Sequence, residues 1–249
     1  MFTHKEFIRI LNVARHNNYR FILFSEAKKH KAKTCLLRHD VDNSPEAALK
    51  MAKLECKLGI KATYFFMVTS EVYNISSPRT QQIVREIRSF GQEIGLHFSE
   101  KTYARLNKFK KAQANPLLDY IEQEAAVVEK ITGKSVRAVS FHQPSRELLS
   151  QSLALKGRIN VYRPQDTGNA YYLSDSNMQW RGPAPLKLFS THSYDKIQLL
   201  IHPLWWRKSP GSLRQRWLQA MGDRVSAIWQ SWQVNECTLD RKWPRPKLK

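Results

Sequence analysis

Two hydrophobic periods alternate along this chain. Thr3-His4-Lys5-Glu6 reads as a capping box heading an amphipathic helix over 3–18, with Phe7, Ile10, Leu11 and Ala14 at helical spacing. A buried strand follows at 34–40. Ser44-Pro45 then opens a helix whose apolar face is Ala48, Met51, Ala52 and Cys56, and Gly59 is its stop signal. Residues 60–68 are β-branched and aromatic and read as a second buried strand. A helix over 78–90, closed by Gly91, precedes a strand at 93–98. Asn115-Pro116 opens a long helix through Ile131, a strand spans 136–141, and another helix begins at Pro144. The later part is less regular, with short strands at 159–162, 170–173 and 197–201. A last amphipathic helix over 212–232 carries Leu213, Trp217, Met221, Val225, Ile228 and Trp232 along one face.

Strands alternating with helices of ten or more residues mean βαβ units, hence an α/β fold with a mostly parallel sheet. At least six strands in about 200 residues fit a (β/α) barrel of seven or eight units with an irregular second half. A doubly wound open sheet is the alternative. No glycine-rich phosphate loop follows any strand, which disfavours a nucleotide-binding Rossmann domain or a P-loop. Without a linker or internal repeat, residues 1–249 read as a single barrel domain, with 233–249 as a basic tail.

The 249 residues are 42% hydrophobic, enough for a sizeable core. Neither a membrane span nor a secretory signal is visible, so a cytoplasmic location is expected. Three cysteines without paired spacing argue against a disulfide framework or a Cys-based zinc site, and Cys35 and Cys56 read as buried apolar residues. The net charge of +20 fits an anionic partner of some kind. Two clusters stand out, Lys101 to Lys111 and the tail from Arg241, but no zinc-finger or RNA-recognition signature accompanies them. Specific nucleic-acid binding is therefore not expected.

Candidate chemistry sits at the strand tips. Asp40 and Asp42 are two apart and point to one side of the first strand. Three other strands end in His97, His142 and His202. On a barrel such tips converge on one rim, where ligands and catalytic groups are placed. One carboxylate and two imidazoles suit a divalent transition ion such as zinc, with positions left for water and substrate. The other carboxylate is then free as a general base and a remaining histidine as a general acid. His39 faces away from Asp40 by alternation and reads as structural.

Arg38 to Asp42, the helix after it and Gly59-Ile60-Lys61-Ala62-Thr63-Tyr64-Phe65-Phe66 resemble the opening of the polysaccharide deacetylase family, carbohydrate esterase family 4. Gly91-Gln92-Glu93-Ile94-Gly95-Leu96-His97 is similar to the second motif of that family. Phe141-His142-Gln143-Pro144 stands where its third motif has Arg-Pro-Pro, and Leu200-Ile201-His202 matches its last. The resemblance covers roughly 34–206 in the right order. It implies a distorted (β/α) barrel, Asp40 as general base, Asp42 and His97 as metal ligands, and His202 as general acid. Two departures stand out. The family has a second histidine where this chain has Lys101, and His142 replaces the third-motif arginine; His142 is the expected substitute ligand.

The activity implied is metal-dependent removal of an acyl group, acetyl above all, from an N- or O-acylated saccharide or saccharide precursor, which for a basic protein suits an anionic one. Arg38, Ser174, Asp175, Trp180, Arg181 and Trp205 are the expected substrate-binding residues, combining aromatic faces with hydrogen-bonding groups. Two rivals remain: a degenerate, non-catalytic saccharide-binding or scaffold protein on the same barrel, and a basic nucleic-acid or membrane-surface protein using the Trp-rich C-terminal helix and tail. The sequence leaves the oligomeric state open.

Overall fold

The computed structural model describes residues 2–30, 33–107, 116–239 and 242–244. Parts of both basic clusters, including Lys108, Lys110 and Lys111 and tail residues 240, 241 and 245–249, lie outside the described residues, as does Asn115. In chain order the elements are α1 (His4–His16), β1 (Arg20–Ile22), β2 (Thr34–Val41), α2 (Pro45–Lys57), β3 (Thr63–Phe66), α3 (Pro78–Ser89), β4 (Glu93–Phe98), α4 (Glu100–Asn107) and α5 (Pro116–Thr132). They continue with β5 (Ala138–Phe141), α6 (Arg146–Ser150), β6 (Ile159–Asn160), α7 (Pro164–Thr167), β7 (Tyr171–Ser174), α8 (Pro185–Ser190), β8 (Lys196–Ile201) and α9 (Leu213–Asn235).

All the strand pairings in the sheet are parallel, in the order β6-β5-β4-β3-β2-β8-β7. Taken as a ring, that order is sequential from β2 to β8, which is the arrangement of a (β/α) barrel and not of a doubly wound sheet. Among the described residues no ladder joins β6 to β7. The seam between them is bridged by side chains, with the Tyr162 and Tyr172 rings 6.3 Å apart. The fold is therefore an α/β barrel open at one seam. Strand β1 pairs with Thr34–Leu36, below the Arg38–Val41 stretch that pairs with β3, and extends the sheet at its lower end.

Alternation along the strands divides the core in two. Cys35, Leu37 and Val41 of β2, with Tyr64, Phe66, Leu96, Val139, Leu199 and Ile201, face the helices in one large cluster. Leu36, Phe65, Ala138, Ile22, Phe24 and Val161 form a smaller cluster inside the barrel. The inward positions turn polar towards the C-terminal ends, from Leu36 to Arg38 and Asp40 on β2 and from Ala138 to Ser140 on β5. The barrel thus has an apolar floor and a charged mouth. Gly95 is needed here: a Cβ on it would lie 2.5 Å from the Phe65 ring and 2.9 Å from the Ala138 carbonyl oxygen.

Helix α2 starts as its sequence predicts, with Ser44 Oγ accepting from Ala47 N and Pro45 in the first turn. Its inner face differs from expectation. Cys56 is exposed and Glu55 is buried instead, because Glu55 accepts hydrogen bonds from Tyr64 Oη (2.7 Å) and sits 2.6 Å from His39 Nε2. His39 also stacks on Tyr64, so it lies behind the sheet and outside the charged mouth. The second strand is shorter than the apolar run that signals it, and α4 begins at Glu100, ahead of the basic cluster, where the hydrophobic periodicity predicts no helix. No helix among the described residues is long and apolar enough to cross a membrane.

Candidate active site

Asp42, just past β2, places Oδ1 3.0 Å from His97 Nε2 on β4 and 3.4 Å from His142 Nδ1 just past β5. One donor atom from each lies within 4.8 Å of the others. Two ligands on one tetrahedral zinc ion are held roughly 3.4 Å apart by bonds of about 2.1 Å, so these separations suit a shared cation. Asp42 Oδ1 is buried and accepts no well-directed hydrogen bond. An orphaned carboxylate oxygen between two imidazole nitrogens is a donor set that a divalent ion satisfies. The residues present fit the implied metal.

Register sets the next contact. His97 lies directly across the ladder from Ser140, and His97 Nδ1 is 2.5 Å from Ser140 Oγ. With Nδ1–H donating to that hydroxyl, a neutral His97 would offer its Nε2 lone pair to a cation shared with Asp42.

Asp40 is buried between two kinds of partner. Arg38 Nε and Nη2 donate to Oδ1 and Oδ2 at 2.8 and 2.7 Å, and His97 Nε2 lies 3.6 Å from Oδ2. Burial raises the Asp40 carboxyl, but Arg38 and His97 outweigh it and hold the group below its ordinary range. Asp42 is likewise held well below that range, its burial outweighed by His142, His97 and His202. Burial depresses His142, yet Asp42 leaves it above its ordinary value.

His202, just past β8, completes the ring. Its Nδ1 is 2.6 Å from Asp175 Oδ1, and its Nε2 faces Asp42 Oδ2 at 3.9 Å. Burial lowers its pKa, but Asp175, Asp42 and Asp40 raise it to about 9, so it carries a proton at neutral pH.

These groups form the floor of a cleft of about 1050 Å³ whose walls include Thr69, Lys101, Tyr172, Arg181, Trp205 and Trp217. Two of the expected substrate-binding residues, Arg181 and Trp205, therefore reach it. Four others do not line it, and the structure gives them different work. Arg38 lies wholly buried beneath Asp40, donating also to Tyr162 Oη (2.8 Å). Asp175 is buried behind His202 and accepts from His202 N and Trp206 Nε1. Ser174 is buried against Ser176, Oγ to Oγ 2.7 Å. Trp180 stacks on Phe2 with ring centroids 5.8 Å apart, packing the N-terminus onto the barrel. Arg38, Ser174 and Asp175 are buried below the rim, and Trp180, half-buried in the loop after β7, faces the N-terminal segment instead of the cleft.

Sequence reasoning missed Ser140, Tyr73 and Tyr162. Tyr73 accepts from Met67 N and donates to Val41 O, both at 2.8 Å, tying the tips of β2 and β3 together. No motif marks these residues; the signal for Ser140 is its inward parity with Ala138 and its place two before His142. Lys101, standing where the resemblance would have a second histidine, turns to Gln143 Oε1 at 2.9 Å and stays on the rim. Thr69 Oγ1, also on the rim, donates to Glu124 Oε1 (3.1 Å), and burial pushes the Glu124 carboxyl up to about 7.

No family model and no curated protein matches the sequence. Solved structures similar to it include the catalytic domain of a peptidoglycan N-acetylglucosamine deacetylase from Eubacterium rectale, at 16% identity and a TM-score of 0.48 over 88% of this chain and 94% of that one. A peptidoglycan deacetylase from Bacillus subtilis matches at 14% identity and a TM-score of 0.47, covering 83% and 98% of the two chains. A carbohydrate esterase family 4 pseudoenzyme from Bacillus anthracis matches at 13% identity and a TM-score of 0.44 over 81% of this chain; the match spans 62% of the pseudoenzyme. The solved structures similar to this chain thus include peptidoglycan deacetylases and a family 4 pseudoenzyme, all at low identity.

Proposed function

We propose that this protein is a metal-dependent hydrolase that removes an acyl group, acetyl above all, from a saccharide or saccharide precursor. One observation carries the reading: the Asp42–His97–His142 donor cluster sits at the barrel mouth between a carboxylate, Asp40, and a protonated imidazole, His202. The motif resemblance points the same way.

Asp42, His97 and His142 would hold a divalent ion, zinc in this reading, which would supply Lewis acidity towards a carbonyl and lower the pKa of water. Asp40, kept ionised by Arg38, takes a proton from the attacking water as its oxygen bonds to the acyl carbon. Bidentate pairing with Arg38 still leaves Asp40 lone pairs towards the cleft. The bond from the acyl carbon to the sugar nitrogen or oxygen then breaks. His202, oriented by Asp175, gives its proton to the leaving atom, and a carboxylate and a free amine or alcohol are released. In this reading Arg181, Lys101 and Trp205, which line the cleft, hold the sugar and any negative charge on it. The whole of 1–249 is taken as one domain in this reading.

The test is zinc content after loading and desalting, beside acetate release from acetylated saccharides. Wild type should retain about one ion and release acetate. Asp40→Asn should keep the ion and lose hydrolysis by about 10²-fold or more, and Asp42→Ala should lose both. Wild type without an ion, or Asp40→Asn with full activity, sinks the reading. An ion-free protein that still binds saccharide would assign the barrel to binding alone.

A further inference from the structure

Helix α9 leaves an apolar stripe uncovered beside the face that it packs on the barrel. An amphipathic helix ordinarily turns its apolar stripe to the core. Here Leu213, Trp217, Met221, Ile228 and Trp232, spaced four or seven apart along one face, are 40–50% exposed. The face towards the barrel is polar. Arg216 is buried, donating to Ser209 O at 2.7 Å; Asp223 pairs with Arg207 at 2.9 Å; Arg224 pairs with Glu46. Only Ala220 adds a buried apolar side chain to that face.

The stripe is continuous with the mouth of the cleft. Trp217 lines the cleft and meets Trp205 edge to face at 5.4 Å. Val72 and Leu149, also exposed, line the same mouth beside Lys101 and Arg105. Exposed cations border the stripe: Lys208 and Arg214 stand in solvent at its start, whereas Arg207, Arg216 and Arg224 are turned to the barrel, and Asp223, the one acid within α9, is already paired.

We propose that the outward stripe of α9 docks this protein on an anionic lipid bilayer. Exposed Trp, Ile, Leu and Met side chains insert at the headgroup level while Arg and Lys meet the lipid phosphates, the composition of an interfacial helix. Because Trp217 belongs to both the stripe and the cleft, docking brings the cleft mouth to the lipid surface. A polyanion alone would leave the apolar stripe without a partner, and a neutral apolar surface would leave the charge without one.

The test is co-sedimentation of the full chain with vesicles of phosphatidylcholine alone or with about 30% phosphatidylglycerol. Wild type should pellet with the anionic vesicles and not with the neutral ones. Ile228→Ser/Trp232→Ser, and separately Met221→Ser, should weaken partitioning, the double variant by about tenfold or more, with far-UV circular dichroism unchanged. Neither variant touches the cleft, so hydrolysis of a soluble substrate is a separate readout. Wild type that ignores both vesicles, or variants that bind as wild type does, overturns the proposal. So does a wild-type dimer in vesicle-free solution that the double variant abolishes, since that assigns the face to a second copy of the chain.

Discussion

Arg38 and Asp40, two residues apart on β2, form a fully buried bidentate ion pair beneath the proposed metal ligands. The guanidinium is sandwiched by aromatic faces, its carbon 4.7 Å from the Tyr162 ring and 5.7 Å from Phe65. A charge this deep is tolerable only while its partner is present. Arg38→Leu strands the Asp40 carboxylate, so unfolding by urea should show a loss of about 3–5 kcal/mol. A loss below about 1 kcal/mol would mean that Asp40 is stabilised by other groups.

Ser140 acts on the site through His97. Removing the hydroxyl frees the imidazole to rotate and removes the acceptor that keeps Nε2 unprotonated. Second-contact groups of this kind are typically worth 10–100-fold in metal affinity. Titration calorimetry with zinc should show Ser140→Ala binding weaker by about tenfold or more. Unchanged affinity would show that packing alone orients His97.

Asp175 organises the wall behind His202 and does not meet the cleft. Its carboxylate receives Trp206 Nε1 at 2.8 Å and His202 N at 3.0 Å. Asp175→Ala leaves those buried donors unpaired, at about 1–3 kcal/mol each, so a total near 3 kcal/mol is expected from denaturant unfolding. Asp175→Asn keeps an acceptor for the indole and should cost less. Equal stability of Asp175→Ala and wild type would contradict the buried network.

Glu124 gives the protein a pH dependence of its own. Burial raises its carboxyl to about 7, so between pH 4.5 and 7 the native state holds a proton that the unfolded chain has released. That contribution is fully present below pH 4.5 and is lost as pH rises through 7. Glu124→Gln should therefore be more stable than wild type at pH 8, by up to about 3 kcal/mol, with the difference vanishing near pH 4. Parallel unfolding curves at the two pH values would remove this account of Glu124.

The barrel was legible because its cause is local. Period-2 runs, period-3.6 runs, Ser-Pro starts and Gly stops each declare an element within ten or so residues, and their alternation leaves few topologies. The polar tips were legible for the same reason: charge at the end of an apolar run is visible in the run itself. Strands β6 and β7 are only two and four residues long, and the periodic signal fades with them.

By itself, the sequence determined which side chains point to the same side of each strand and which strands end in His or Asp. Parity along a strand is a property of the backbone and requires no partner. Tertiary structure alone decided depth and company. That His97 meets Ser140 depends on the register between β4 and β5, across 43 residues of chain. That Arg38 serves Asp40 and not a ligand depends on how far below the rim the curled sheet sets it. The outward turn of the α9 stripe is of the same kind. Its helical period is written in residues 213–232, but the face it shows the barrel was chosen by Glu46, Arg207 and Ser209, partners that only folding brings alongside.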